Sequence, residues 1–251
     1  MNKILAVWAV PRSTSTAFEW MMRQREDMTC FHEPFGEAWY QGEAPLRPRL
    51  TKDSLKVTGL TLGSVLENVK SAARKEAVFI KDFPHYITSI IDNNFLDLFN
   101  HSFLIRDPAK TITSIYSKWP DFHQDEVGFK EQRKLFDTIC DQSGTAPPVL
   151  DSDDLLENPY VAVERWCDAV GIAFVPQALS WAPGARDEVS WWDGGSFHAN
   201  LRDSDGLKPQ ERKYIDISKA PDRVKRIYEQ VLPHYEYLYS HRLILPANDD
   251  S

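Results

Sequence analysis

The chain begins with a short apolar run that is followed at once by a polar turn and a helix-forming segment. Residues 3–10 have the length and apolar character of a strand buried in a parallel sheet. Residues 11–16 are small hydroxyl residues with one proline and one arginine, and residues 17–22 are mostly bulky and apolar. A strand that enters a helix through such a turn directs backbone N–H groups and the positive end of the helix dipole at one place, which favours an anion such as phosphate. The alternative is a helix capped by the side chain of Ser13 or Thr14.

The alternation of apolar runs and helical segments is repeated along the chain. Further candidate strands cover residues 28–31, 77–80, 102–105 and 149–150. Candidate helices cover residues 14–25, 63–70, 87–98, 126–142, 161–170 and 221–239, another begins at Pro108, and residues 37–52 look irregular. Short apolar strands that alternate with helices predict an α/β fold with a central parallel sheet and helices on both faces. We find no repeat or linker, and therefore predict one domain over residues 1–245 and a flexible tail over residues 246–251.

The net charge limits the classes of partner. The chain has 29 basic and 37 acidic residues, a net charge of −8, which argues against a general nucleic-acid or acidic-membrane surface and restricts any anion site to a local basic pocket. The cysteines at positions 30, 140 and 167 lack metal-ligand spacing and indicate reduced structural thiols. The first strand begins at residue 3, which leaves no room for a signal peptide, and no apolar run reaches the ~18 residues of a membrane span. We expect a cytoplasmic protein, and leave open whether it forms a homodimer.

Polar clusters follow four of the predicted strands. They are residues 11–16, residues 32–33, residues 81–85 and the segment that begins at Arg106. Because ligands of α/β folds bind at the carboxyl ends of the strands, we expect these clusters to meet at one edge of the sheet. Arg106 ends a strand and Ser114 lies about two turns into the next helix, so both are placed to bind one phosphate. The alternative is a surface Arg106 that pairs with Asp107, with Ser114 facing solvent.

Three segments resemble motifs of one enzyme family. Residues 11–16 resemble the 5′-phosphosulfate-binding loop of the sulfotransferases. Residues 106–108 with Ser114 resemble the 3′-phosphate-binding motif of that family, including the spacing between arginine and serine. Residues 153–159, with Trp166, Cys167 and Gly171, resemble a third segment that is common in sulfotransferases. The resemblance therefore extends from residue 4 to about residue 175.

The resemblance implies a P-loop NTPase-like α/β fold that binds 3′-phosphoadenosine 5′-phosphosulfate (PAPS). It also implies a metal-independent, in-line transfer of the sulfuryl group to a hydroxyl or amine, which leaves 3′-phosphoadenosine 5′-phosphate (PAP). An acidic chain favours a small-molecule acceptor, since a polyanionic glycan would need a basic cleft. Three aromatic residues are candidates for the adenine or acceptor pocket, with the protein core as the alternative: Trp191, Trp192 and Phe197.

The resemblance assigns roles to individual residues of the phosphate motifs. Arg12 and the backbone N–H groups of the next four residues, Ser13, Thr14, Ser15 and Thr16, would bind the 5′-phosphate and stabilise the charge that grows on it. Arg106 and Ser114 would bind the 3′-phosphate and fix the position of the donor. Lys81 would assist near the bridging oxygen, with a solvated lysine as the alternative. Residues 194–196 and 202–206 are both candidates for covering the adenosine, and Ser204 of the second is included among the cofactor-binding residues.

The reaction also needs a base that takes a proton from the acceptor. Many cytosolic sulfotransferases use a histidine shortly after a lysine at the end of a central strand, but here the matching position is Phe83 and His85 lies two residues later. Other branches of the family use a glutamate at the end of the second strand, which Glu33 matches. We predict Glu33 as the base, with His32 and His85 as alternatives. Glu33 could instead be a loop carboxylate that pairs with Arg12 or Lys81.

The first phosphate loop departs from the family at position 14. The loop often has a glycine near its middle, where this chain has a threonine. A threonine with positive φ would be strained, so we predict a right-handed helical turn at Thr14.

Two other functions would use a similar strand, loop and helix. A nucleotide kinase would need a lysine that reaches the terminal phosphates, and no lysine lies between Val10 and Phe18. A non-catalytic nucleotide-binding protein would not need the acid and base groups, and the presence of Glu33, Lys81 and Arg106 argues against it.

Overall fold

A five-stranded parallel sheet forms the centre of the computed structural model, which describes residues 3–47, 57–184, 187–189, 199–208 and 214–246. The strand order is β2-β3-β1-β4-β5. The strands are β1 (Ile4–Ala9), β2 (Thr29–His32), β3 (Val78–Asp82), β4 (Phe99–Ile105) and β5 (Val149–Asp151). All neighbouring strands are parallel, so their carboxyl ends share one edge of the sheet.

The helices alternate with these strands, as the sequence predicts. Those of the described residues are α1 (Ser15–Arg23), α2 (Pro34–Gln41), α3 (Leu62–Ala73), α4 (Pro84–Ile87), α5 (Asn93–Leu96), α6 (Pro108–Lys118), α7 (Phe129–Ser143), α8 (Ser152–Glu157), α9 (Pro159–Val170), α10 (Ala199–Arg202) and α11 (Asp222–Ser240). No helix among the described residues combines the length and the apolar character that a bilayer crossing requires.

Both faces of the sheet are covered by helices. β1 is buried at every position, although its successive side chains point to opposite faces. Phe79 of β3 is aligned with Leu5, whereas Phe103 of β4 is aligned with Trp8, so these two phenylalanines lie on opposite faces. Phe18 of α1 packs on Phe79 with ring centroids 6.4 Å apart, and on the other face α7 contacts Phe103 through a ring 5.5 Å away. The predicted α/β fold is therefore present.

Two elements differ from the prediction. Part of the segment predicted to be irregular forms α2, because Pro34 occupies its first turn and Phe35 and Trp39 are buried against the core. The helix predicted over residues 87–98 is divided into α4 and α5, since the Asp92 carboxylate accepts a hydrogen bond from the Phe95 N–H at 2.7 Å and so begins a new helix. Of the predicted tail, residues 247–251 lie outside the described residues.

Candidate active site

The turn between β1 and α1 contains two non-glycine residues in the left-handed conformation. Arg12 has φ 68° and Thr14, the N-cap residue of α1, has φ 70°. The prediction of a right-handed turn at Thr14 is therefore wrong. Each residue in this conformation destabilises the folded state by about 1–3 kcal/mol and persists only where neighbouring contacts hold it. Ser13, between them, is fully buried, and its hydroxyl donates to the Val10 carbonyl at 2.7 Å.

The positive end of α1 carries no side-chain cap. Thr14 makes no capping hydrogen bond, and the Ser13 hydroxyl is already bonded to the chain before the turn. The interpretation of residues 11–16 as an ordinary capped helix start is thus contradicted. Because the first N–H groups of a helix have no carbonyl one turn earlier to bond, they remain donors that favour an anion at this turn.

The second phosphate motif is in direct contact with this turn. Arg106, at the end of β4, is buried, and its Nη1 donates to the Arg12 carbonyl at 3.2 Å. Arg12 in turn donates from Nε to the Ser114 hydroxyl at 3.0 Å. The alternative of a surface Arg106 paired with Asp107 is wrong, because Asp107 caps α6 by accepting from the Ala109 N–H at 2.7 Å. The structure thus brings Arg12, Arg106 and Ser114 together.

The environment of Arg106 fits a phosphate group. Its Nε is buried and has no hydrogen-bond partner within the described part of the chain. Asp153 lies 3.8 Å from this atom, beyond hydrogen-bond distance, and its other oxygen accepts from Lys110 at 2.6 Å. A buried guanidinium donor without an acceptor is costly, and a bound anion would relieve this cost.

Tyr214 is a contact of Arg106 that the sequence did not indicate. Arg106 Nη2 donates to the Tyr214 hydroxyl at 2.6 Å, and the guanidinium lies 5.4 Å from the centre of the tyrosine ring. No local pattern marks this residue, because its partner is 108 positions away. Tyr214 belongs to the candidate 3′-phosphate site by position.

Two buried polar residues hold the carboxyl edge of the sheet together. The Ser152 hydroxyl, at the start of α8, donates to the carbonyls of both Ser13 and Ile105, which joins the first phosphate loop to the end of β4. Gln132 of α7 donates to the carbonyls of Trp8 and Leu104, at 3.0 Å each. Neither residue was predicted, since both act on backbone groups that are distant in sequence.

The predicted acid–base pair lies on the other side of β1. Glu33 directly follows β2 in a left-handed conformation with φ 42°, and Lys81 of β3 donates from Nζ to Glu33 Oε1. Lys81 is fully buried, so the alternative of a solvated lysine is wrong. Pairing of Glu33 with a basic residue is therefore present, and 11% of the Glu33 side chain is exposed.

Asp82 fixes the chain on both sides of this pair. Its carboxylate accepts from the N–H groups of Phe35 and Phe83, at 2.8 Å each, which ties the start of α2 to the end of β3. Burial raises the pKa of Asp82 well above its usual value. The turn that carries Glu33 is thereby held against Lys81.

Glu19, on α1, is a site residue that the sequence analysis missed. Its fully buried carboxylate accepts from His32 Nδ1 at 2.6 Å and lies 2.8 Å from Arg23 and 3.8 Å from Lys81 Nζ. Burial opposes ionisation, but the hydrogen bond of His32 and the neighbouring positive charges, among them Lys81 and Arg23, outweigh it and lower the pKa of Glu19 to about 2. The available signal was a single charged residue within the apolar segment 17–22.

His85 lies in an aromatic enclosure beside the pair. The ring of Phe83 contacts both Lys81, 5.2 Å from Nζ, and His85, 5.8 Å between centroids. Trp39 and Tyr86 pack on the same histidine, and neither of its ring nitrogens has a hydrogen-bond partner among the described residues. Burial lowers the pKa of His85 to about 4, so the ring is neutral at neutral pH.

The late loops are described only in part. The Ser204 hydroxyl donates to the Leu201 carbonyl at 2.7 Å and accepts from Trp181 Nε1 at 3.0 Å, so its described contacts do not join it to the phosphate motifs. Residues 194–196, Trp191, Trp192 and Phe197 lie outside the described residues. No group of three His, Cys, Asp or Glu side chains in the described ranges is arranged to hold a metal ion.

A comparison with known families identifies the family of the chain. The profile of the sulfotransferase domain matches residues 2–240. The chain belongs to the sulfotransferase family. A curated relative of the chain is branched-chain-amino-acid aminotransferase-like protein 2 of Arabidopsis thaliana, with 27% identity over 242 residues. The alignment covers 95% of this chain and 42% of that protein, so the chain spans less than half the length of the relative.

Solved sulfotransferase structures share the fold of this chain. Mouse sulfotransferase SULT7A1, complexed with PAP, superimposes with a TM-score of 0.56 at 9% identity over 95% of this chain and 89% of that chain. A sulfotransferase from Alicyclobacillus acidocaldarius gives a TM-score of 0.53 at 10% identity, over 97% of this chain and 98% of that chain. At these identities the likeness establishes the fold alone.

Proposed function

We propose that this sulfotransferase transfers the sulfuryl group of PAPS to a hydroxyl or amine of a small-molecule acceptor. The observation that carries the proposal is the contact of Arg12 with Ser114 and of Arg106 with the Arg12 carbonyl, which joins two anion-binding motifs at one edge of the sheet. Membership of the sulfotransferase family and the shared fold of the PAP complex of SULT7A1 support it.

Each motif has its own part in donor binding. The turn before α1, with the N–H groups of residues 14–16 and Arg12, binds the 5′-phosphate and offsets the charge that develops on it in the transition state. Arg106 and Ser114 bind the 3′-phosphate, and the Nε of Arg106, which has no hydrogen-bond partner among the described residues, gains an acceptor there. These fixed positive groups replace the metal ion that a phosphoryl-transfer enzyme would use, so we propose metal-independent catalysis.

Glu33 is the proposed base. Its carboxylate has an exposed portion at the sheet edge and lies beside Lys81, whereas His85 is enclosed by aromatic rings. Glu33 accepts the acceptor proton as the new oxygen–sulfur bond forms, and Lys81 holds the carboxylate in place and supplies positive charge near the bridging oxygen. His85 and His32 are the alternatives to Glu33 in this role.

Ligand-dependent thermal unfolding tests the donor site. We expect PAP to raise the melting temperature more than ATP with magnesium does, because only PAP carries both a 3′- and a 5′-phosphate. Arg106→Gln should remove this shift while Arg74→Gln, an exposed change at the end of α3, should keep it. Stabilisation by ATP and magnesium but not by PAP would contradict the proposal and favour a kinase-like enzyme.

The acceptor is found by incubating the protein and PAPS with a metabolite extract. Mass spectrometry should detect a compound that gains one sulfuryl group, and Glu33→Gln should bind PAP normally but form little of this product. Normal PAP binding without product in the wild type would instead indicate a non-catalytic nucleotide-binding protein. Near-normal turnover by Glu33→Gln would move the role of base to a histidine.

The cysteines support a proposed cytoplasmic location. Cys30, Cys140 and Cys167 are free. Burial raises the pKa of Cys30 to about 12 and that of Cys167 to about 11, so these thiols are protonated and unreactive at neutral pH. Free thiols are typical of proteins from reducing compartments. Fluorescent tagging of the whole protein in its native cell tests this location.

A further inference from the structure

Glu19, His32 and Glu33 are buried neighbours that lie between helix α1 and the proposed base. His32 Nδ1 lies 2.6 Å from Glu19 Oε2, and His32 Nε2 lies 3.9 Å from Glu33 Oε1. An ionised carboxylate can only accept a hydrogen bond, so Nδ1 of His32 must be the donor. In the neutral ring Nε2 therefore carries no hydrogen and is the atom that faces Glu33.

Charged groups from three elements surround His32. The groups that face it or its partners are Glu19 and Arg23 from α1, Glu33 from the turn after β2, and Lys81 and Asp82 from β3. With a neutral His32, the Glu19 and Glu33 carboxylates are matched by Arg23 and Lys81. An imidazolium would lie between two carboxylates, and Glu33 would keep its ion pair with Lys81.

We propose that His32, held by Glu19, stores the proton that Glu33 takes from the acceptor. Glu33 removes this proton as a lone pair of the acceptor oxygen bonds to sulfur, and the bond from sulfur to the 5′-phosphate oxygen breaks with its electron pair left on that oxygen. The proton then moves from Glu33 to His32 Nε2 with a small rotation of the glutamate, which restores the Glu33 carboxylate. The imidazolium releases the proton to solvent after the product leaves. This inference rests on the proposed function, with Glu33 as base.

A variant at position 32 separates proton storage from a structural role. His32→Asn places an amide N–H at the position of Nδ1, so it can still donate to Glu19, but it has no atom that can accept a proton in place of Nε2. His234→Asn is the matched control, because His234 belongs to α11, which packs on α6 and α7. If the histidine only holds α1 against β2, His32→Asn should behave like the control.

The nitrogen NMR spectrum of histidine-labelled protein tests the inference without turnover. We expect a His32 signal, assigned by its loss in His32→Asn, with the hydrogen on Nδ1 in the free protein at neutral pH. A hydrogen on Nε2 instead, or a ring that stays doubly protonated from pH 6 to 8, would overturn the inference and leave the proposed sulfotransfer untouched.

Transfer to water serves as the activity probe, because it requires no knowledge of the acceptor. We expect single-turnover release of labelled sulfate from PAPS to fall about tenfold or more in His32→Asn and to change its pH profile, with PAP affinity and melting temperature unchanged. If His32→Asn releases sulfate at the wild-type rate while Glu33→Gln is inactive, the inference about His32 is overturned and Glu33 remains the proposed base. Wild-type rates in Glu33→Gln would overturn the proposed base and the inference with it.

Discussion

Thr14 occupies a backbone region that β-branched residues rarely adopt, at the point where the first phosphate loop enters α1. The neighbouring contacts hold it there, since Ser13 is bonded to Val10 and its carbonyl accepts from Ser152. The strain lies in the loop that is proposed to hold the 5′-phosphate. This is the position at which the sequence favoured a right-handed turn.

Thr14→Gly should therefore stabilise the protein. Glycine adopts positive φ without steric cost, and we expect a gain of about 1 kcal/mol after allowance for its greater freedom in the unfolded chain. Thr16→Gly, in the first turn of α1, should instead lower the stability by about 0.3 kcal/mol. Urea unfolding measures both, and equal losses in the two variants would show that Thr14 is not strained.

His85 makes stability depend on pH in a defined direction. Its pKa is lowered from 6.5 to about 4 by burial, so the unfolded chain binds a proton more readily than the folded chain between these values. Stability is complete above pH 6.5 and falls by about 3 kcal/mol as the pH approaches 4. His85→Phe should remove this loss, as urea unfolding at pH 7 and pH 5 would show.

The same variant tests a catalytic role for His85. If the histidine is only part of the aromatic wall, sulfate release should be retained in His85→Phe. Loss of transfer with normal PAP binding would make His85 the base in place of Glu33.

At the scale of elements, α1 serves both halves of the site. Its first turn belongs to the phosphate loop, and Glu19, one turn further on, contacts the end of β2 through His32 and approaches Lys81 of β3. The helix thus couples the donor motif to the proposed base through a buried group of charges.

Glu19→Gln should weaken the contacts of α1 with β2 and β3. The pKa of Glu19 is lowered from 4.5 to about 2, so its stabilisation of about 3 kcal/mol is present above pH 4.5 and is lost as the pH falls towards 2. We expect the variant to lose about that much stability at pH 7, because Arg23 and Lys81 keep buried charges. Because glutamine does not titrate, the stability of the variant should fall less steeply than that of the wild type as the pH decreases.

Urea unfolding from pH 7 to pH 3 measures this difference. Glu67→Gln on the exposed face of α3 is the control, because its carboxylate pairs with Lys70 in solvent. An equal decrease in the free energy of unfolding of Glu19→Gln and the wild type with falling pH would contradict the assignment of a buried charge to Glu19.

At the scale of the whole molecule, helix α11 and the segment after it pack on α6 and on the edge of the sheet. Helix α11 buries Val224, Ile227 and Val231 against α6, in a second apolar cluster that is separate from the core around the sheet. In the segment after α11, the Leu243 N–H donates to the Val149 carbonyl of edge strand β5 at 2.8 Å. The sheet therefore depends on residues close to the end of the described chain.

Truncation tests this dependence. A chain that ends at residue 246 should keep wild-type stability and PAP binding, whereas one that ends at residue 220 should expose the second cluster and fail to fold cooperatively. Circular dichroism during thermal unfolding distinguishes them. A cooperative transition in the shorter chain would show that α11 is a separate addition to the domain.

The βα alternation and the polar strand ends are predictable from the sequence because they depend on short-range patterns. Apolar runs and turns identify β1, β3 and β4, and parallel strands place the residues that follow them at one edge. Arg12, Glu33, Lys81 and Arg106 lie at or shortly after strand ends, which is where these patterns predict polar side chains.

Only the tertiary structure decided which polar groups are in contact, how deeply they are buried and which backbone conformation carries them. Arg12 and Ser114 are 102 positions apart, and Ser152 and Ser13 are 139 apart, so their pairing follows from the strand order. The conformation of Thr14 and the burial of Glu19 likewise depend on neighbours from other elements. Local sequence determined where the sheet edge would be polar, whereas long-range packing determined its hydrogen bonds, because desolvation and charge pairing depend on distances in space.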